Sequence, residues 1–135
     1  MREYNLTMRV AILAAANNSY EKKYLNELAE NIQRLGFEVS INTAHNQLTQ
    51  CETVVAILDG RDWPPEVYVA LGYFWHYRQS AGLPKKLMVG YELTAGAAHK
   101  LASLKLFDHL AQTEKGLIAC LKDYLFYCRQ SQSKV

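Results

Sequence analysis

Apolar and polar positions along this chain fall into two periods, and the two periods separate strands from helices. Thr53 to Leu58 (TVVAIL) is an unbroken apolar run rich in β-branched residues, the pattern of a strand covered on both faces. Leu6 to Ala15 contains a second run, MRVAILAAA, which reads as the first and central strand. Phe37 to Ile41 is short and alternating, so it predicts a strand nearer a sheet edge. Lys86 to Tyr91 (KLMVGY) predicts a fourth strand, and Leu104 to Phe107 a brief fifth.

Helical spacing fills the gaps. Tyr24, Leu28, Ile32 and Leu35 share one stripe, which predicts a helix from about Asn18 to Leu35 with Gly36 as its C-cap. Asn18 followed by Glu21 has the form of a capping box. From Glu66 to Tyr77 the apolar residues no longer alternate, and Pro64 and Pro65 suit the opening turn of a helix because a proline there gives up no usable N–H. Leu117, Leu121, Tyr124, Leu125 and Cys128 share a face of a final helix over Thr113 to Cys128. Thr94 to Leu104 could form another helix, and the polar stretch Asn42 to Gln50 reads as a loop or one helical turn.

Strands that alternate with helices imply parallel pairing through right-handed crossovers. The expected fold is an α/β, doubly wound three-layer sandwich of about five parallel strands in the flavodoxin-like order 2-1-3-4-5. Its switch point falls between the first and third strands, where the loops at Ala14–Asn18 and Asp59–Pro65 would face each other across a pocket.

Composition narrows the function. A chain of 135 residues, half of them hydrophobic, predicts one domain over 1–135, with 1–5 and 130–135 frayed. The formal net charge of +2 is spread along the chain, which argues against a nucleic-acid polymer as partner. Cys51, Cys120 and Cys128 have no CxxC spacing, so reduced thiols in a cytoplasmic protein are expected rather than disulfides or zinc. No run approaches the roughly 20 apolar residues of a membrane span, and MREYNLTMRV has polar residues where a signal peptide needs an apolar core. The dispersed histidines offer no metal-ligand spacing, and no metal is expected.

Candidate chemistry concentrates after the apolar run at Thr53–Leu58. Asp59, Asp62 and Glu66 stand where ligands bind in open α/β sheets, at a strand's carboxyl end. Carboxylates there could orient sugar hydroxyls, accept a proton from a base edge, or attack an anomeric carbon. Equally, Asp59 and Asp62 could shape the turn, and Glu66 could favour the positive end of a helix. Asn17, Asn18 and Ser19 could hold a ligand or simply cap the helix that follows. No GxGxxG and no GK[ST] occurs, so neither a dinucleotide fingerprint nor a P-loop is present. The aromatic cluster Trp63, Tyr68, Tyr73, Phe74, Trp75 and Tyr77 could stack on a base, form a helix-to-helix dimer face, or pack the core.

The stretch LDGRDWPPEVYVALGYF resembles the signature of the nucleoside 2-deoxyribosyltransferase family. In that family an Asp-Gly turn after the third strand leads through a second acid to a helix reading Glu-x-Gly-Tyr. Asp59, Gly60 and Asp62 match the turn, and Leu71, Gly72 and Tyr73 match the helix. Val10–Ala14, KLMVGYELT and LFDHLAQTEKGLIACLKDYL are similar to the family's first strand, fourth strand and C-terminal region. The family's second turn acid and Ser-Gly fall on Pro64, Pro65 and Glu66, and its nucleophilic glutamate falls on Ala70. An alanine forms no glycosyl ester.

The resemblance implies a protein that acts on the N-glycosidic bond of deoxynucleosides or nucleotides, as N-glycosidase or deoxyribosyltransferase. Glu66 would substitute as nucleophile or base, Asp59 would orient the sugar or base, and Tyr73 would support the carboxylate. Asn17, Asn18, Gly60, Asp62 and Ala70 would line the ligand site. The alternative is a catalytically inactive relative that binds a nucleoside or nucleotide as sensor or regulator. No cofactor is implied, because glycosyl transfer by carboxylates needs none. A homodimer or higher homo-oligomer is expected.

Overall fold

In the computed structural model, which describes residues 8–15, 19–42, 45–59, 63–82, 85–93 and 106–133, β1 (Met8–Leu13) lies between β2 (Phe37–Ile41) and β3 (Thr53–Leu58). β4 (Leu87–Glu92) and β5 (His109–Ala111) complete one parallel sheet of five strands in the order β2-β1-β3-β4-β5. This is the flavodoxin-like α/β fold that the alternation of periods predicts. Register is continuous across the centre: Leu13 pairs with Ala56, and Leu58 with Glu92.

Among the described residues, three α-helices and a 3₁₀ helix cover the sheet. α1 (Ser19–Gln33) and α3 (Glu114–Ser133) pack on one face, where Leu25, Leu28, Ile32, Leu117 and Leu121 meet Val10, Ile12, Val55 and Ile57. α2 (Pro65–Arg78) and a 3₁₀ helix (His45–Gln50) cover the other, where Leu48, Val67, Leu71 and Phe74 meet Leu13, Val54, Ala56 and Leu58. Strand alternation explains the split, since successive side chains of β3 point to opposite layers. α1 ends where expected: Gly36 has φ 113, a conformation glycine adopts without steric cost. The polar stretch after β2 resolves as the 3₁₀ helix, and α3 runs beyond the predicted end at Cys128.

The fifth strand is displaced from its predicted place. Leu106 and Phe107 are not in a strand, and β5 forms instead at His109–Ala111. The cause is polar. Asp108 accepts a hydrogen bond from the Met88 backbone N–H at 2.8 Å and an ion pair from Arg78 at 2.5 Å, which sets the next three residues against β4. Apolar pattern alone carries no signal for an edge strand positioned by a carboxylate. The predicted helix at Thr94–Leu104 lies outside the described residues. Among those described, no helix is long and apolar enough to cross a membrane.

Candidate functional site

β1 and β3 end side by side, and their crossovers leave in opposite directions, α1 to one layer and α2 to the other. That divergence opens a cavity of about 370 Å³ at their carboxyl ends. Ala14 and Ala15 supply its wall from β1, and Ile57 and Asp59 from β3, with Leu93 following β4. α1 supplies the facing wall through Tyr20, Glu21, Lys23, Tyr24 and Glu27. The two ends predicted to face each other across a pocket thus share one.

The β1 side is held by a side chain. Asn42, just past β2 with φ 51, gives its Nδ2 to the Ala14 carbonyl and takes the Ala14 N–H on Oδ1, both at 2.9 Å. Asparagine tolerates the left-handed region better than other residues with a Cβ. Its amide therefore continues the β1–β2 ladder one step beyond the strands. The β3 side is held by an indole. Trp63 is buried, donates from Nε1 to the Ile57 carbonyl at 3.2 Å, and packs at 5.1 Å against the tilted ring of Tyr68, whose hydroxyl accepts from the Trp63 backbone N–H at 3.3 Å. Of its roles considered above, core packing is the one it fills.

Tyr24 forms the inner wall. Its hydroxyl donates to Glu114 Oε1 at 3.3 Å and accepts from Tyr91 at 3.1 Å, while Asn31 donates to the second oxygen of Glu114 at 2.8 Å. Burial, then the Tyr91 hydrogen bond, push the Tyr24 phenol well above its ordinary range. Its hydroxyl is thus engaged by two neighbours that do not themselves line the cavity. Tyr20, one helical turn earlier and 82% exposed, stands at the mouth. The described lining thus combines an aromatic pair with the carboxylates of Asp59, Glu21 and Glu27 and a single lysine.

The residues singled out in the sequence divide across the sheet. Asp59 lines the cavity. Glu66 does not: it is exposed in the first turn of α2, in the layer opposite α1. Tyr73 is also on the outer side of α2, half exposed. Ala70 is buried within the apolar layer beneath α2, packed in the same cluster as Val67 and Phe74. Asn17, Asn18, Gly60 and Asp62 lie outside the described residues. The Tyr20–Tyr24 pair and Glu27 were not singled out as site residues, though two tyrosines at (i, i+4) directly after the β1 loop are a readable signal.

Elsewhere, burial dominates. Cys51 and Cys128 are buried and Cys120 half-buried, and burial pushes each thiol up. No group of three or more His, Cys, Asp or Glu among the described residues could hold a metal ion.

No family model and no curated protein matches the sequence. Solved structures do match the fold. A conserved protein from Enterococcus faecalis V583 superposes with a TM-score of 0.66 at 13% identity, over 87% of this chain and 98% of that one. A rubredoxin oxygen:oxidoreductase from Desulfovibrio gigas gives 0.56 at 17% identity, over 87% of this chain but 37% of that one. A CheY-like response regulator receiver domain from Methylobacillus flagellatus gives 0.52 at 13% identity, over 87% and 99%. The superpositions and the strand order establish the flavodoxin-like architecture, and identities this low show the fold alone.

Proposed function

We propose that this protein binds a nucleoside-type ligand in the cavity between β1, β3 and α1, as a relative of the nucleoside 2-deoxyribosyltransferases that lacks their nucleophile. The observation that carries this reading is the convergence of Asp59 with the Tyr20–Tyr24 pair on one cavity at the switch point. A flat base finds aromatic surface on α1, and a hydroxyl or exocyclic amine finds an acceptor in Asp59. The volume of about 370 Å³ falls within the roughly 300–1,000 Å³ of small-molecule sites. Glu66 and Ala70 argue for binding without turnover, because the first stands outside the cavity and the second carries no carboxylate.

Cleavage of the N-glycosidic bond is the second reading, favoured by the presence of Asp59, Glu21 and Glu27 around the same space. Glycoside chemistry runs on paired carboxylates, and Asp59 would then take the role that Glu66 cannot reach. One experiment separates the two. The protein is incubated with deoxynucleosides and their 5′-monophosphates while melting temperature and free base are followed. Stabilisation without base supports the sensor, and base release lost in Asp59→Asn but kept in Glu66→Ala supports the enzyme. No stabilisation and no release across the panel overturns both.

A further inference from the structure

The α1 side of the cavity is anchored from α3, through a residue that does not line it. Tyr24 lines the cavity, and its hydroxyl donates to Glu114 Oε1 at 3.3 Å while accepting from Tyr91 at 3.1 Å. Glu114 is half-buried in the first turn of α3, where the positive end of the helix favours a carboxylate. Its second oxygen takes the Asn31 amide at 2.8 Å, and the oxygen of that amide accepts from Arg34 at 2.9 Å. The two ends of the Asn31 amide thus face opposite partners, which fixes its orientation and, through it, that of the carboxylate.

Cohesion does not call for these bonds. Leu25, Leu28, Leu117 and Leu121 already join α1 and α3 to the sheet in one apolar layer. A polar network whose members are all bonded adds placement to such a layer, because it favours one arrangement of its side chains over the others. Tyr20 is the contrast. It lines the same cavity one helical turn earlier, yet it is 82% exposed, with rotamers still to lose. Tyr24 is held at both ends, by its backbone on α1 and by its hydroxyl between β4 and α3. A side chain that a ligand must immobilise costs affinity, and one already held does not.

We propose that Glu114 is a positioning residue for this cavity: from α3 it holds Tyr24 in one rotamer, so that the α1 wall is set before a ligand arrives. This role rests on the reading above that a flat ligand is taken up at the switch point, and it names the residue that prepares the wall for it. Glu114 touches no ligand. It acts only through the Tyr24 hydroxyl, so removing either partner of that bond should have the same consequence.

Two readouts test this, one of them free of ligand. Three-bond NMR couplings about χ1 of Tyr24, measured on the isotope-labelled protein alone, should report one rotamer in the wild type and averaging in Glu114→Ala. Phe74→Leu, a change in the opposite layer, should leave the rotamer fixed, which separates anchoring from general loosening. Titration with deoxynucleosides reads the consequence. Glu114→Ala and Tyr24→Phe should each raise the dissociation constant about three- to tenfold, the cost of one newly mobile side chain. The double variant should lose no more than either single one, since both release the same hydroxyl. Averaging in the wild type, a fixed rotamer in Glu114→Ala, or losses that multiply in the double variant overturns the assignment. No binding by any of these proteins, with Tyr24 fixed in the wild type and freed in Glu114→Ala, overturns the ligand reading and upholds the anchor.

Discussion

The side-chain amide of Asn42 and the backbone of Ala14 exchange two hydrogen bonds, both 2.9 Å, across the end of the β1–β2 pair. Ala14 is a wall of the cavity, so a residue that does not line the site fixes one side of it. Asn42→Ala should destabilise the fold by about 1–3 kcal/mol, since both bonds are lost and alanine resists the left-handed backbone. Asn42→Gly loses the bonds but keeps the backbone, and should cost less. Urea denaturation of the three proteins measures the order: equal losses would mean that the left-handed backbone contributes little, and no loss in Asn42→Gly would mean that the amide contributes little.

Gly90 of β4 is a second position where space decides. A Cβ there would approach Leu110 to 2.7 Å, Leu58 to 3.0 Å and Phe107 to 3.1 Å. Leu110 is partly exposed and can give way, but Leu58 is fully buried. Gly90→Ala should therefore destabilise by about 1–3 kcal/mol, the usual cost of overpacking. A melting temperature equal to wild type would show that β5 shifts freely.

Alkaline pH should unfold the protein early. Burial raises the Tyr24 and Tyr124 phenols above the ordinary 10.0, and the Cys51 thiol above the ordinary 9.0. The folded state thus keeps protons that the unfolded chain releases. That contribution is fully present below the unfolded values and is lost as pH rises through and beyond them. The melting temperature should fall as pH climbs from about 9 upward, more gently in Tyr24→Phe, and a flat profile to pH 11 would contradict it.

Thiol reagents give an independent reading of the same burial. Cys51 and Cys128 should resist a disulfide exchange reagent in the native protein and react after denaturation, with Cys120 intermediate. Rapid native labelling of Cys51 would show that its end of β3 opens on the labelling timescale.

Much of this architecture was legible in the sequence. Apolar runs at β1 and β3 marked the central strands, and the alternation of periods led to the parallel order and its switch point. Asp59 was legible for the same reason, since a carboxyl-terminal strand end is a place that topology dictates. What pattern does not encode is which layer a side chain joins after a turn. Glu66 looked close to Asp59 because it lies only seven positions further along, yet α2 leaves β3 on the face away from α1, and the cavity opens on the α1 side.

The chain by itself therefore determined most of the elements, their parallel pairing and the end of the sheet at which a cavity opens, because hydrophobic period and turn chemistry are local. Only the tertiary structure decided that Tyr20 and Tyr24 share a cavity with Asp59, that Asn42 holds Ala14, and that Asp108 draws β5 to His109–Ala111. Each of those joins residues distant in sequence through a hydrogen bond or a shared cavity, and such contacts exist only once the layers have closed.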